Sequence, residues 1–110
     1  MKKLLILLAV VWSPVRAEFY SGNELLQRLQ SDSGIEKAVA LGFVGGVADA
    51  WDRILFCPPE NSTVGQARDI ALRHLLINPA KRHQAAAGLV ADALMEAWPC
   101  PQQQKKGSRL

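Results

Sequence analysis

Two cysteines and two histidines are the side chains of this sequence best equipped for covalent or metal chemistry: Cys57, Cys100, His74 and His83. A thiol within reach of an imidazole is a nucleophile with its base, and a histidine pair can begin a metal site. The spacing argues against both. Eight residues separate His74 from His83, and no cysteine or carboxylate cluster stands beside them at ligand spacing. The chain also has no glycine-rich phosphate loop and no serine in a nucleophile elbow. The sequence therefore predicts no enzyme, no catalytic residue, no metal and no cofactor.

What the cysteines do depends on the compartment. Met1 to Ala17 opens with Lys2 and Lys3, continues as the apolar run Leu4–Trp12, and closes on Val15-Arg16-Ala17. A positive start, a short apolar core and a small-x-small end make residues 1–17 a signal peptide. Nine apolar residues are too few to span a bilayer, which takes about 17 to 25. The eleven uncharged residues 38–48 fall short as well, and no cysteine follows the leader to carry a lipid. The expectation is an exported soluble protein with no membrane attachment once the leader is gone. In an oxidising compartment, two cysteines in a small domain pair rather than catalyse. Of 13 basic residues the leader holds three, so the remainder carries ten against ten acidic ones. That neutral balance gives a nucleic-acid surface no support.

The elements that must position these groups read as helices. Ala and Leu dominate, β-branched runs are absent, and no alternating pattern insists on a strand. Ser21-Gly22-Asn23-Glu24 has the form of a capping box, opening a first helix to about Leu29 or Gln30. Ser33-Gly34-Ile35-Glu36 repeats it and opens a long helix to about Leu55, stopped by Phe56-Cys57-Pro58-Pro59. Thr63-Val64-Gly65-Gln66 starts a third helix to about Ile77. The same Thr63 completes a glycosylation-type triplet, Asn61-Ser62-Thr63, but as a helix cap it already has a role. Asn78 with Pro79 is expected to cap a fourth helix reaching Trp98. Residues 101–110 are polar and basic, and read as a flexible tail. The fold class is all-α, a compact bundle of about four helices with one disulfide. If short connections make the helices run down, up, down and up, Cys57 and Cys100 meet at one end. That bridge is worth roughly 4 kcal/mol in the chain-entropy model.

Three surfaces stand out. Ala38, Gly42, Gly46 and Ala50 recur every four residues on the second helix, a ridge of small side chains that predicts a close helix crossing within the chain or a subunit seam. The fourth helix gathers Ala86, Leu89, Val90, Ala93, Leu94 and Ala97 on one core face. Asp69 and Arg73 form an i,i+4 pair, while Arg68 is placed to reach Asp49 or Asp52, or to snorkel outward. At the opposite end from the cysteines, Asn78, Lys81, Arg82 and His83 cluster in a turn near Ser31, Asp32 and Ser33. They form the candidate partner-binding surface, since exposed turns on rigid helices carry contacts.

Taken in order, these marks resemble the Rap/Tai family of immunity proteins associated with bacterial type VI secretion. The resembling stretch runs from Phe19 to Cys100. It includes Ser21-Gly22 with Leu25-Leu26, and Leu41-Gly42-Phe43-Val44-Gly45-Gly46-Val47-Ala48-Asp49. It continues through Phe56-Cys57-Pro58, Thr63 to Gln66, Asn78-Pro79, and Ala93-Leu94 leading to Trp98-Pro99-Cys100. Residues 18–100 would then be a Rap/Tai-like immunity domain. The pattern departs at Leu29 and Ala40, near which members often carry a further cysteine pair. The resemblance implies a periplasmic helical protein, often a homodimer, that binds a peptidoglycan amidase effector and blocks its cleft without chemistry of its own. A periplasmic stress chaperone is the alternative class for a small exported helical protein.

Overall fold

The computed structural model describes residues 20–101. The expected leader, and the expected tail beyond Pro101, lie outside the described residues. Four helices form: α1, Gly22–Leu29; α2, Gly34–Trp51; α3, Val64–Ile77; and α4, Ala86–Ala97. There is no strand among the described residues. None of these helices is long and apolar enough to cross a membrane.

Each of the three serine/threonine caps forms, but only one is reciprocal. Thr63 Oγ1 accepts from Gln66 N at 3.2 Å, and Gln66 Oε1 accepts from Thr63 N at 2.9 Å. Ser21 and Ser33 accept from the backbone of Glu24 and Glu36. At α1 the first free donors go elsewhere: Gly22 N donates to Gln84 O and Asn23 N to Arg82 O.

The core gathers one stripe from each helix: Leu25 and Leu29; Ala40, Val44 and Val47; Ala67, Ala71 and Leu75; Leu89, Val90 and Leu94. Helix α3 packs on both α2 and α4, and α1 touches all three others. The α2 helix stops four residues before the expected Leu55. Arg53 takes a left-handed φ of 62°, its N–H donates to Phe56 O at 2.7 Å, and Asp52 bridges Phe56. This reversal carries Phe56 into complete burial, a gain of about 1.5 to 3 kcal/mol that continuing the helix would forgo.

Asn78 does not cap a fourth helix. Its side-chain amide donates back to His74 O at 2.8 Å, closing α3, and Pro79–Lys81 then forms one turn of 3-10 helix. Ala85 opens α4 without a side-chain cap.

Cys57 and Cys100 are joined, with Cα atoms 4.8 Å apart, and Cys57 N donates to Trp98 O beside the bridge. The ends of α2 and α4 therefore meet as expected. The first helix does not follow the alternating path. Ser21 pairs with Ala85, and Ala86 N donates to Tyr20 O. So α1 begins against the beginning of α4, at the end of the bundle away from the disulfide.

Close backbone approach occurs there, at Gly22. A Cβ on Gly22 would stand 2.5 Å from Leu89 Cδ1 and 2.9 Å from Arg82 O, so only glycine fits. The ridge Ala38, Gly42, Gly46, Ala50 makes no such crossing within the chain. All four residues are exposed, and a Cβ at Gly42 or Gly46 would meet nothing within 4 Å. The inward face of α2 lies round from it, on Ala40, Val44 and Val47, with Gly45 tight against Val64.

Candidate functional site

With both sulfurs in the disulfide, there is no thiol for either histidine to activate. His74 is largely buried and lies 3.9 Å from Glu96 Oε2, in a cleft between α3 and α4 lined also by Ile70, Arg73 and Ile77. His83 is exposed on the turn. No group of three or more metal-ligating side chains gathers among the described residues.

The turn after α3 is rigid for reasons now visible. Lys81 N donates to Asn78 O, Arg82 N to Pro79 O and Gln84 N to Lys81 O, while the start of α1 takes the carbonyls of Arg82 and Gln84 from the other side. Among the four residues placed here by sequence, Lys81 and His83 are exposed, and Asn78 and Arg82 are part-buried. Asn78 is occupied in capping α3. Arg82 supplies backbone to α1, and its Nε is sealed from solvent without a hydrogen-bond partner. The two side chains this turn offers outward are thus Lys81 and His83.

The disulfide end has different chemistry. The loop after Cys57 turns through Ser62 N donating to Pro59 O at 3.1 Å, with Asn61 at a φ of 68°. Clefts flank it on both sides, and Trp98 lines both. Arg68 pairs with its neighbour Asp69 at 3.1 Å, neither reaching Asp49 or Asp52 nor leaving Asp69 to Arg73. Asp49 and Asp52 line the cleft between α2 and the loop. Sequence reasoning used them only as possible partners for Arg68. The available signal was two carboxylates at i,i+3 on a helix that is otherwise almost uncharged.

A third surface is the outer side of α2. Residues 34–39 are exposed one after another, so this part of the helix stands clear of the core on every side. Ile35 is 79% exposed and Val39 40%, and both continue the uncharged stripe of Ala38, Gly42, Gly46 and Ala50.

A family model described as Rap1a immunity proteins matches residues 21–100, nearly all of the described chain. No curated protein matches the chain.

Proposed function

Because the chain belongs to the family of Rap1a immunity proteins, which bind cognate effectors of type VI secretion, we propose that it is a periplasmic inhibitor occluding a peptidoglycan amidase. The family match over residues 21–100 carries this reading. The leader at 1–17 supports the periplasmic address, where such an amidase would act on the wall.

The turn at Asn78–His83 is the inhibitory surface in this proposal. A concave cleft needs a convex insert that holds its shape, and this turn is stiffened by Pro79, by Asn78 and by the start of α1. Lys81 and His83 present its outward polar groups, suited to acidic acceptors around the mouth of the cleft. Asn78 and Arg82 hold the turn in shape beneath them.

The same proposal makes the protein a homodimer through the outer face of α2. Ile35, Ala38, Val39, Gly42, Gly46 and Ala50 are small or apolar, with the exposed carboxylate of Asp49 among them, and a two-fold axis would set this face against its own copy. A stable seam buries about 1,200 to 2,000 Å² in total.

Calorimetry against a small Cys/His amidase encoded beside this gene tests the reading. Tight binding with loss of amidase activity is expected. Lys81→Glu with His83→Glu should weaken binding at least tenfold and leave the melting temperature unchanged. Unchanged affinity there, with affinity lost on altering Glu60 and Asn61, would move the surface to the disulfide end. Suppression of aggregation at low pH, with no amidase binding at neutral pH, would replace the reading with a chaperone.

A further inference from the structure

We propose that His74 is a pH-operated link between α3, α4 and the turn that follows α3. The residue stands in the last turn of α3, in the cleft between α3 and α4, with 13% of its side chain exposed. Its Nδ1 faces two partners of opposite kind. The side-chain amide nitrogen of Asn78 lies 3.5 Å away, and Glu96 Oε2 lies 3.9 Å away. An amide N–H only donates and a carboxylate only accepts, so Nδ1 cannot serve both in one protonation state. With the ring neutral and its proton on Nε2, Nδ1 accepts from Asn78. With both nitrogens protonated, Nδ1 turns from the amide and donates to Glu96.

The exchange reaches the turn through a single residue. The Asn78 amide also donates to His74 O at 2.8 Å, and Asn78 O accepts from Lys81 N at 3.1 Å. The charged groups lining the cleft with His74 are Arg73 from its own helix and Glu96 from α4. Lys81, Arg82 and His83 on the turn do not line it. Glu96 and the free carbonyls at the end of α3 attract a charged ring, and Arg73 opposes it. Glu96 is 80% exposed, so solvent screens the pair, which can form and break without disturbing the core. That suits a reversible link better than a structural ion pair. Acidification would then alter the turn from beneath, at the residue that anchors it. The link stands on the fold alone, whatever the turn binds.

Its test needs no effector. Nuclear magnetic resonance of the oxidised protein, carrying His83→Gln so that one histidine remains, would follow the His74 ring nitrogens as the pH is lowered. The neutral ring should hold its proton on Nε2. The Asn78 side-chain amide and the Lys81 backbone amide should then shift with the same midpoint as the ring. Glu96→Gln should lower that midpoint by at least about 0.3 pH unit, since a carboxylate beside the ring favours its charged form. Asp92→Asn, four residues earlier on α4 and outside the cleft, should lower it by less. His74→Gln should abolish the response at Lys81 while leaving the helical circular dichroism unaltered. A proton on Nδ1 in the neutral ring would overturn the link. So would Asn78 and Lys81 signals that ignore the ring, or equal shifts from Asp92→Asn and Glu96→Gln. Each of these outcomes leaves the immunity reading standing, because none of them measures effector binding.

Discussion

The two ends of this bundle are closed by different means. At one end a covalent bond between Cys57 and Cys100 ties the segments that follow α2 and α4. At the other, three backbone hydrogen bonds join residues 20–23 to residues 82–86, over a glycine that lets the two segments touch. The covalent closure acts mainly by limiting the unfolded chain and tolerates a loose surrounding, which is why clefts can flank it. The hydrogen-bonded closure acts only in the folded state and depends on atoms in contact. The end holding the proposed inhibitory turn is thus set by packing, and the end holding the acidic cleft by a crosslink.

Removing the bridge gives the largest effect. Cys57→Ala with Cys100→Ala should cost about 4 kcal/mol in urea denaturation if chain entropy dominates. A loss below about 1 kcal/mol would mean that packing near Phe56 and Trp98 already holds this end. The opposite closure is tested by Gly22→Ala, which should cost about 1 to 3 kcal/mol because the new methyl meets Leu89 and the Arg82 carbonyl. Its hydrogen-exchange signature should be faster exchange at Gly22, Asn23 and Ala86, with Cys57 unaffected. If Cys57 exchange rises equally, the two ends are one cooperative unit and the contrast is false. The smallest effect on stability belongs to Gly46→Leu. Its side chain would enter open space, so the monomer should change by no more than about 0.5 kcal/mol. Light scattering should nevertheless report a shift from dimer to monomer. A destabilised monomer would instead restore the ridge as an internal crossing.

The covalent end was legible in the sequence and the hydrogen-bonded end was not. Cysteine and proline are sparse and each has a narrow range of roles, so Cys57, Pro58, Pro59, Pro99 and Cys100 marked one end unambiguously. The starts of α1, α2 and α3 were equally readable from Ser21, Ser33 and Thr63, whereas the start of α4 was not, because Ala85 offers no side-chain cap. Backbone pairing between Tyr20–Asn23 and Arg82–Ala86 leaves no side-chain signature. Its one trace was Gly22 in a first helical turn that needs no glycine. The small-residue ridge had a real spacing, yet α2 is apolar nearly all round, so spacing could not say which side faced inward. Val44 and Val47 decide it, since burying them turns Gly42 and Gly46 outward. At the candidate site, Lys81 and His83 were found where sequence placed them. Arg82 and Asn78 were absorbed into the scaffold because their backbone and amide groups had nearer uses.

The crosslink also divides the molecule in a way that bears on its survival of a proteolytic cut. Residues 57–100 form a closed ring that contains α3 and α4, while α1 and α2 precede it as an open arm. A cut in the ring at the exposed Glu60–Asn61 loop leaves both pieces covalently attached through the disulfide and lies far along the chain from the residues of the α1 clasp. A cut between α1 and α2, near Ser31, frees the clasp entirely. The ring is therefore nick-tolerant at its exposed loop, and the weak points for irreversible loss lie in the two exposed segments outside it, the connection before α2 and the reversal at Asp52–Ile54.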